Sequence, residues 1–422
     1  MKLHPMIAAL RKHKAGVVLI ALQIALTLAI VCNAVFIIGQ RIERVNRPTG
    51  LAERDLGLVS QQWVGAPGGA SADGLQKLDA LQREDLATLR ALPDVASVSP
   101  TNSLPLLNSS WNGSVSLKAD SNLLGGNART TYYFGDEQFV RTLGLKLVAG
   151  RDFNAGDVTS KDFRDSRQPA VVIVTQALAD KLFPKGGAVG KVVYLDGSAT
   201  PSTIVGVVAR LQVPATGSWA SSFVWNGVIE PFRLDAAFSR YAIRAKPGRL
   251  QAALREVGPA LYKANPMRVI DEDDGDDSSI QSFADIRTRA YRADVGMAIL
   301  MGVICLILLA VTGAGIVGLT SFWVGQRQRQ IGVRRALGAR KADILRYFQM
   351  ENLLIAGAGA VLGVLLALGL NLLLMKHYEM DRLPVLYVLA GVVVVLALGQ
   401  GAVFAPARRA SNVPPVAATR SA

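Results

Sequence analysis

A dense basic stretch between residues 326 and 351 is the part of this sequence best suited to recognise another molecule. It holds seven lysine and arginine residues, interrupted by the apolar residues Ile331, Ala336 and Leu337. Basic side chains bind acidic surfaces, and apolar positions among them add contact area. Gly338 can end a helix and turn the chain. The composition alone fits two interpretations equally well: a surface that docks a protein, or a solvated loop whose charge only fixes the membrane topology.

A nucleotide-phosphate site is incomplete in this sequence. A P-loop requires G-x-x-x-x-G-K-[ST], in which backbone amides cradle the phosphates and the hydroxyl binds the metal ion. The nearest string, residues 185–192, has Lys185 in place of the first glycine and Val192 in place of the hydroxyl residue. We therefore expect no cofactor in this chain and no ATP hydrolysis by the chain alone.

Two glycine patterns lie inside apolar stretches. Gly313, Gly315 and Gly318 spell G-x-G-x-x-G, but a dinucleotide site needs a strand before the motif and a helix after it. Gly359 and Gly363 form a G-x-x-x-G. Both patterns predict close packing of membrane helices, without indicating which helices they contact.

The acidic run 271–277 is the strongest concentration of negative charge. Aligning Gly275 with the glycine of an EF-hand loop puts Ile270 at the first ligand position, so that motif fails. A solvated loop is the simpler interpretation, and cation binding by the run stays open. The three histidines do not cluster, and no nucleophile–base pair or metal-ligand spacing is visible. We therefore expect no catalytic and no metal-binding residues.

The elements that must position these residues are four long stretches without any charged side chain. Crossing a bilayer takes about 20 apolar residues, and buried helices of soluble proteins rarely stay uncharged for so long. The sequence therefore predicts a membrane protein with four transmembrane α-helices, at residues 15–40, 295–324, 352–375 and 384–407. The first stretch is too long for the core of a cleaved signal peptide, so we expect it to remain as an anchor.

The basic residues orient the chain. Residues 1–14, 325–351 and 408–422 hold 14 of the 46 basic residues and two of the 32 acidic ones. The positive-inside rule places these segments and both termini in the cytoplasm, with residues 41–294 and the short loop 376–383 outside. Residues 1–14 read as an amphipathic segment on the inner lipid surface. Because topology accounts for the positive charge, we expect no nucleic-acid partner.

The outer domain, residues 41–280, shows an α+β pattern. Two strand–helix–strand units suggest a ferredoxin-like half-domain, at residues 54–61, 74–92 and 95–99 and again at 241–244, 250–261 and 267–270. Residues 100–209 between them would form an inserted β-rich subdomain, with a strand–helix pair at 170–183 and a hairpin at 191–208. Cys32 and Cys305 lie in the apolar stretches, so we expect no disulfide in this domain.

A stalk is predicted at residues 281–294, because no helix breaker separates it from the second apolar stretch. Together they would form one helix of about 45 residues, roughly 65 Å long at 1.5 Å per residue.

The basic stretch resembles the coupling segment of the MacB/FtsX permease family, the type VII ABC systems, whose pattern is roughly E-R-x-R-E-I-G-x-R-R-A-L-G-A. This chain matches at Arg327, Arg329, Ile331, Gly332, Arg334, Arg335, Ala336, Leu337, Gly338 and Ala339, and Glu351 also fits. Segments of the outer domain, including 143–153 and 170–208, are similar to the family's MacB-like periplasmic core. Gln326 and Gln330 stand where members often have glutamate, which leaves this segment more basic than usual.

The resemblance implies a non-catalytic permease subunit of the bacterial inner membrane, with ATP bound by a separate ABC ATPase. Two permeases would pair as a homodimer or heterodimer, and a periplasmic adaptor would assist export. The named coupling residues would receive ATP-driven motion and pass it through the stalk to the outer domain. An alternative from the same family is an FtsX-like signalling subunit that activates a cell-envelope hydrolase. The substrate and the direction of transport stay open.

Overall fold

A computed structural model describes residues 14–67, 71–119, 127–162, 164–271, 278–378 and 381–412. The chain divides into two compact units. We call Met1–Asn46 with Ala293–Ala422 the helical unit, and Arg47–Arg292 the β-rich domain. The predicted amphipathic segment and most of the acidic run 271–277 lie outside the described residues.

The secondary structure of the described residues comprises these elements. The helices are α1 (Lys14–Val45), α2 (Ala72–Arg90), α3 (Phe139–Leu143), α4 (Gln176–Leu182), α5 (Leu250–Ala264), α6 (Phe283–Gln326), α7 (Gln328–Ala336), α8 (Lys341–Tyr378) and α9 (Val385–Ser411), with a 3-10 turn at Ser218–Phe223. The strands are β1 (Leu56–Trp63), β2 (Val95–Pro100), β3 (Trp111–Ser116), β4 (Ala128–Phe134), β5 (Leu147–Gly150), β6 (Thr159–Asp162), β7 (Val171–Thr175), β8 (Val192–Leu195), β9 (Pro201–Val208), β10 (Gly227–Glu230), β11 (Phe232–Asp235), β12 (Phe238–Ala245), β13 (Arg268–Val269) and β14 (Ile280–Ser282).

Four helices, α1, α6, α8 and α9, are long and apolar enough to cross a membrane, which confirms the four predicted spans. Helix α6 is continuous over 44 residues, close to the length predicted for stalk and span together. It begins at Phe283, because Ile280–Ser282 pairs with β1 as a strand. Helix α8 begins at Lys341, earlier than the predicted span at 352, because the basic residues near its start continue the helix rather than forming a loop.

Apolar packing and a few polar contacts hold the helical unit together. Helix α1 buries Ile24 and Leu28 in a core shared with α8 and α9. The Thr27 and Thr312 hydroxyls lie 2.7 Å apart and join α1 to α6. Asn33 Nδ2 donates to the Ala367 carbonyl at 3.1 Å, which joins α1 to α8. Such side-chain bonds satisfy polar groups that lipid cannot.

The first sheet of the β-rich domain has the order β13-β1-β12-β2 with antiparallel neighbours, and β14 also pairs with β1. This order, with α2 and α5 crossing between strands, is the predicted ferredoxin-like arrangement. Its core includes Val59, Leu89, Tyr241 and Val257. Helix α2 begins where Ser71 Oγ accepts the Gly74 amide at 3.0 Å.

The insertion between β2 and β12 forms a seven-stranded sheet of order β5-β9-β7-β10-β4-β3-β8. Strand β8 also pairs with β9, so six of these strands close into a ring. The hairpin predicted at 191–208 is this β8–β9 pair, and the strand–helix pair at 170–183 is β7 with α4. The insertion does not end at 209 as expected, because β10 joins β4 to β7 and β11 pairs with β6.

Candidate functional site

The basic stretch folds into a helical hairpin, α7 followed by α8. At the turn, the Ala339 amide donates to the Arg334 carbonyl at 3.0 Å and the Gly338 amide donates to the Arg335 carbonyl at 3.2 Å. This bonding pattern requires a left-handed residue, which is Gly338 with φ of 96°. The Arg340 amide then donates to Asp343 Oδ2 at 3.0 Å and starts α8. The predicted break at Gly338 is therefore a defined turn.

Some of the predicted coupling residues face into the hairpin. Arg327 Nη1 donates to both carboxylate oxygens of Glu351, at 3.1 and 3.0 Å, and the Glu351 side chain is 3% exposed. Arg335 Nη1 donates to the Ser411 carbonyl at 2.6 Å and ties α7 to the end of α9. Ile331 is buried in the helical core. These side chains brace the hairpin and leave little surface for a partner.

Other predicted residues form an outward-facing tip. Leu337, the C-cap residue directly after α7, is 83% exposed, and Val333, one turn earlier, is 47% exposed. Arg329 and Arg334 are also exposed, and the Arg334 guanidinium lies 5.1 Å from the centre of the Tyr347 ring. We define the coupling tip as Val333, Leu337 and the exposed basic side chains around them, which are Arg329, Arg334, Arg340 and Lys341.

The remaining predicted residues divide in the same way. Gly332 is buried and Ala339 is half-buried, whereas Ala336 and Gly338 are exposed. Gln326 and Gln330 are both exposed, so the two missing carboxylates would have stood on the surface. The exposed acid of the hairpin, Asp343, caps the start of α8. The tip therefore presents an apolar centre inside a positive rim, a surface suited to an apolar groove with acidic edges.

The intramembrane glycines were predicted to pack helices, and their surroundings differ. A Cβ on Gly359 would lie 2.8 Å from the Ala21 carbonyl oxygen, and one on Gly363 would lie 3.0 Å from the Ala25 backbone. Both glycines therefore set the close approach of α8 to α1.

The first glycine motif is less constrained. A Cβ on Gly315 would meet the flexible end of Gln23 at 2.7 Å, and one on Gly313 would meet Leu398 at an ordinary 3.5 Å. Gly318 has no neighbour within 4 Å among the described residues, so its predicted packing role finds no partner there.

We expect Gly359→Ala and Gly363→Ala to lower the stability of the helical unit by about 1–3 kcal/mol each, because the new methyl groups overpack a backbone contact. Thermal unfolding of the detergent-purified chain measures this. Gly369→Ala on the same helix is the matched control, since its Cβ would meet nothing within 4 Å. Equal melting temperatures for all three variants would contradict the packing role.

Sequence reasoning missed several features of the site. The Arg327–Glu351 pair could have been inferred from the sequence. The two residues carry opposite charges and lie on either side of the turn at Gly338, so a helical hairpin would bring them together. Val333 could have been found from its spacing of four residues from Leu337, which places both on one helix face. Gly391, whose Cβ would lie 2.3 Å from the Cys32 sulfur, carries no local signal at all.

Two family profiles match the chain. The MacB-like periplasmic core domain matches residues 18–257, more than half of the 422 residues. The FtsX-like permease C-terminal domain matches residues 302–415, which include the coupling tip.

Curated relatives carry the name macrolide export ATP-binding/permease protein MacB. The protein from Chromobacterium violaceum is 28% identical over 289 residues, covering 66% of this chain and 41% of its own length. The protein from Azoarcus sp. is 26% identical over 367 residues, covering 84% of this chain and 50% of its own length. The chain thus spans about half the length of the curated relatives it matches.

A solved structure, the periplasmic region of MacB from Actinobacillus actinomycetemcomitans, is also similar. It is 15% identical, covers 58% of this chain and 96% of its own, and gives a TM-score of 0.33. Because one family profile covers more than half of the chain and a second covers the later helices, the chain belongs to the MacB-like, FtsX-like family of ABC transporter permeases.

Proposed function

We propose that this permease works in export and that a separate ABC ATPase docks on its coupling tip. The observation that carries the proposal is Leu337, a large apolar side chain that is 83% exposed at the end of a fully bonded turn. With the exposed Val333 one turn earlier it forms an apolar patch inside a charged rim, which is typical of a binding site. These 422 residues contain no complete P-loop, and the profiles they match describe a periplasmic core and a permease domain, which supports placing ATP binding outside them.

The hairpin offers a path for motion. A push on the coupling tip would move α7 as a unit, because Arg327–Glu351 and Arg335–Ser411 fix it to α8 and α9. Helix α6 ends next to α7 and runs back to Phe283 without interruption. We propose that α6 carries the displacement to the β-rich domain. There the motion would drive export of a substrate, assisted by an adaptor protein.

ATP turnover by the purified chain tests the proposal. We expect no hydrolysis from the chain alone in nanodiscs, and turnover when a P-loop ATPase encoded beside it is added. A partner whose P-loop lysine is replaced serves as the control. Robust ATP hydrolysis by the isolated chain would contradict the proposal that a separate ATPase supplies this activity. Proteins that co-purify with the chain from its native host test the alternative. Recovery of a cell-wall hydrolase whose activity requires ATP hydrolysis by the complex would favour the FtsX-like signalling role over export.

We further propose that two permeases pair, as a homodimer or as a heterodimer. Gln326 and Gln330 are exposed where members often have glutamate, and a second permease that keeps those acids would offset the positive charge. Identifying the proteins that co-purify with the tagged chain from its native host distinguishes the homodimer from the heterodimer. A second permease recovered in equal amount supports the heterodimer, whereas self-association with one ATPase and full turnover excludes it.

We also propose that both termini are cytoplasmic and that the β-rich domain is outside. Single cysteines at the exposed positions Lys181 and Asn412 test this, after the buried Cys32 and Cys305 are replaced. In intact spheroplasts, a membrane-impermeant thiol reagent should label Lys181→Cys and should label Asn412→Cys only after lysis. The reverse pattern would contradict the positive-inside assignment.

A further inference from the structure

The inserted β-subdomain contains a cleft lined by aromatic and charged side chains. Its volume is about 660 Å³, within the range of small-molecule sites. Aromatic residues of neighbouring strands line one side, namely Trp111 on β3 with Tyr132 and Phe134 on β4. The Trp111 and Phe134 ring centres are 5.0 Å apart, so the two rings form a continuous apolar wall.

Glu230, the last residue of β10, lines this cleft with an unusual carboxylate. The residue is 3% exposed, and its Oε2 atom is buried without a hydrogen-bond partner among the described residues. Burial raises the pKa of Glu230 to about 8, and the nearby Lys161 charge only partly opposes this. Leaving such a group unbonded costs several kcal/mol, so it points to a missing partner.

The other charged groups of the cleft are already engaged. Lys161 Nζ donates to the Arg167 carbonyl at 3.0 Å and lies 4.7 Å from the centre of the Phe232 ring. The Arg167 guanidinium pairs with Asp165. Asp196 Oδ1 accepts bonds from the Ser114 amide and the Tyr132 hydroxyl, both at 3.0 Å.

With Glu230 ionised, as a bound cation would hold it, the balance of charge in the cleft is negative. Asp196 has neutral hydrogen-bond donors, which do not cancel its charge. Three carboxyl groups and two basic side chains line the cleft, and among the acids Glu230 has the unbonded buried oxygen. An anion would be repelled by the excess of carboxylates over basic side chains. Ca²⁺ and Mg²⁺ take six or more oxygen ligands, and no group of three acidic, histidine or cysteine ligands exists among the described residues.

We propose that this cleft binds a small organic cation with a flat apolar body, its ammonium on Glu230 and its body against Trp111 and Phe134. A charge-assisted hydrogen bond would satisfy the buried carboxylate. The aromatic faces attract a cation and pack well against a flat apolar group. The site lies wholly within the β-rich domain and stands independently of the export role.

Three probes of one shape test the ligand class by calorimetric titration of the full chain in detergent micelles. They are phenethylammonium, the neutral phenethyl alcohol and the anionic 3-phenylpropanoate. We expect one ammonium per chain, binding at least about tenfold more tightly than the alcohol, a difference of about 1.4 kcal/mol. The anion should bind most weakly. Equal affinities for the three probes, or no binding of the ammonium, would overturn the proposal.

Variants locate the site. Glu230→Gln should weaken ammonium binding at least about tenfold while leaving the alcohol unchanged, since it removes charge and keeps shape. Unchanged alcohol binding also shows that the variant is folded. Glu256→Gln, on the exposed face of α5, is the matched control and should bind like the parent. Trp111→Ala should weaken both ligands. Full ammonium binding by Glu230→Gln would refute the assignment.

Discussion

Asp85→Ala should destabilise the ferredoxin-like part of the β-rich domain by about 3–5 kcal/mol, because it leaves a buried arginine without its counter-ion. Asp85 and Arg268 are each 1% exposed, and Arg268 Nη2 donates to Asp85 Oδ1 at 2.8 Å. Asp85 Oδ2 also accepts bonds from Gln61 Nε2 at 3.1 Å and from the Tyr241 hydroxyl at 3.0 Å. The loss would be about a fifth or more of a typical domain's free energy of unfolding.

Denaturant unfolding of the full chain, followed by tryptophan fluorescence, measures this effect. The signal reports mainly on the β-rich domain, which holds four of the five tryptophans. Asp73→Ala on the same helix is the control, because Asp73 pairs with Lys77 on the surface and such pairs contribute about 0–1 kcal/mol. Similar midpoints for the two variants would show that the buried pair is unimportant.

Removing the Arg268 cation instead should make the free energy of unfolding depend more strongly on pH than in the parent protein. Burial raises the pKa of Asp85, and Arg268 opposes that shift. In Arg268→Met the pKa should rise further, so the native state holds a proton that the unfolded chain releases. Stability is then present at low pH and is lost as the pH rises through the raised pKa. A variant whose midpoint stays flat across that range would contradict this reasoning.

Leu337→Asp should abolish ATP turnover by the permease–ATPase complex without unfolding the permease. Burying a leucine in an interface contributes about 1.5–3 kcal/mol, and burying a charge in its place costs more. Because Leu337 is 83% exposed in the free chain, the substitution removes little internal packing. The loss of turnover is measured by adding increasing amounts of ATPase to the permease. The loss of binding is measured by pull-down of the ATPase with the tagged permease.

Three comparisons make this prediction specific. Leu337→Met keeps an apolar side chain at the tip and should retain turnover. Arg334→Glu should weaken docking by only about 0–1 kcal/mol if its contact stays exposed. Ile331→Asp, by contrast, should lower the melting temperature, since Ile331 lies in the helical core. Full turnover by a folded Leu337→Asp protein would remove the coupling tip from the mechanism.

Sequence patterns were sufficient for features that depend on neighbouring residues. The four apolar helices follow from long charge-free runs, and the turn at Gly338 follows from a residue that accepts a left-handed backbone. The two strand–helix–strand units follow from the change between two-residue and helical periodicity. Their boundaries shifted by a few residues, and β14 was missed because a three-residue strand carries almost no periodic signal.

Contacts between residues far apart in the chain could not be predicted from local sequence patterns. The end of the insertion was placed at 209 because the strands β10 and β11 depend on partners about 70 to 100 residues earlier in the chain. The resemblance grouped Arg327, Leu337 and Glu351 as one coupling set. The structure separates an internal ion pair from an exposed apolar tip.

By itself, the sequence determined the membrane class, the number of long apolar helices and the ferredoxin-like units, since each depends on local composition or periodicity. Only the tertiary structure decided which basic residues remain free to bind, which glycines meet a neighbouring backbone and that Glu230 is buried beside an aromatic wall. The physical reason is that burial and charge pairing depend on side chains brought together by the fold.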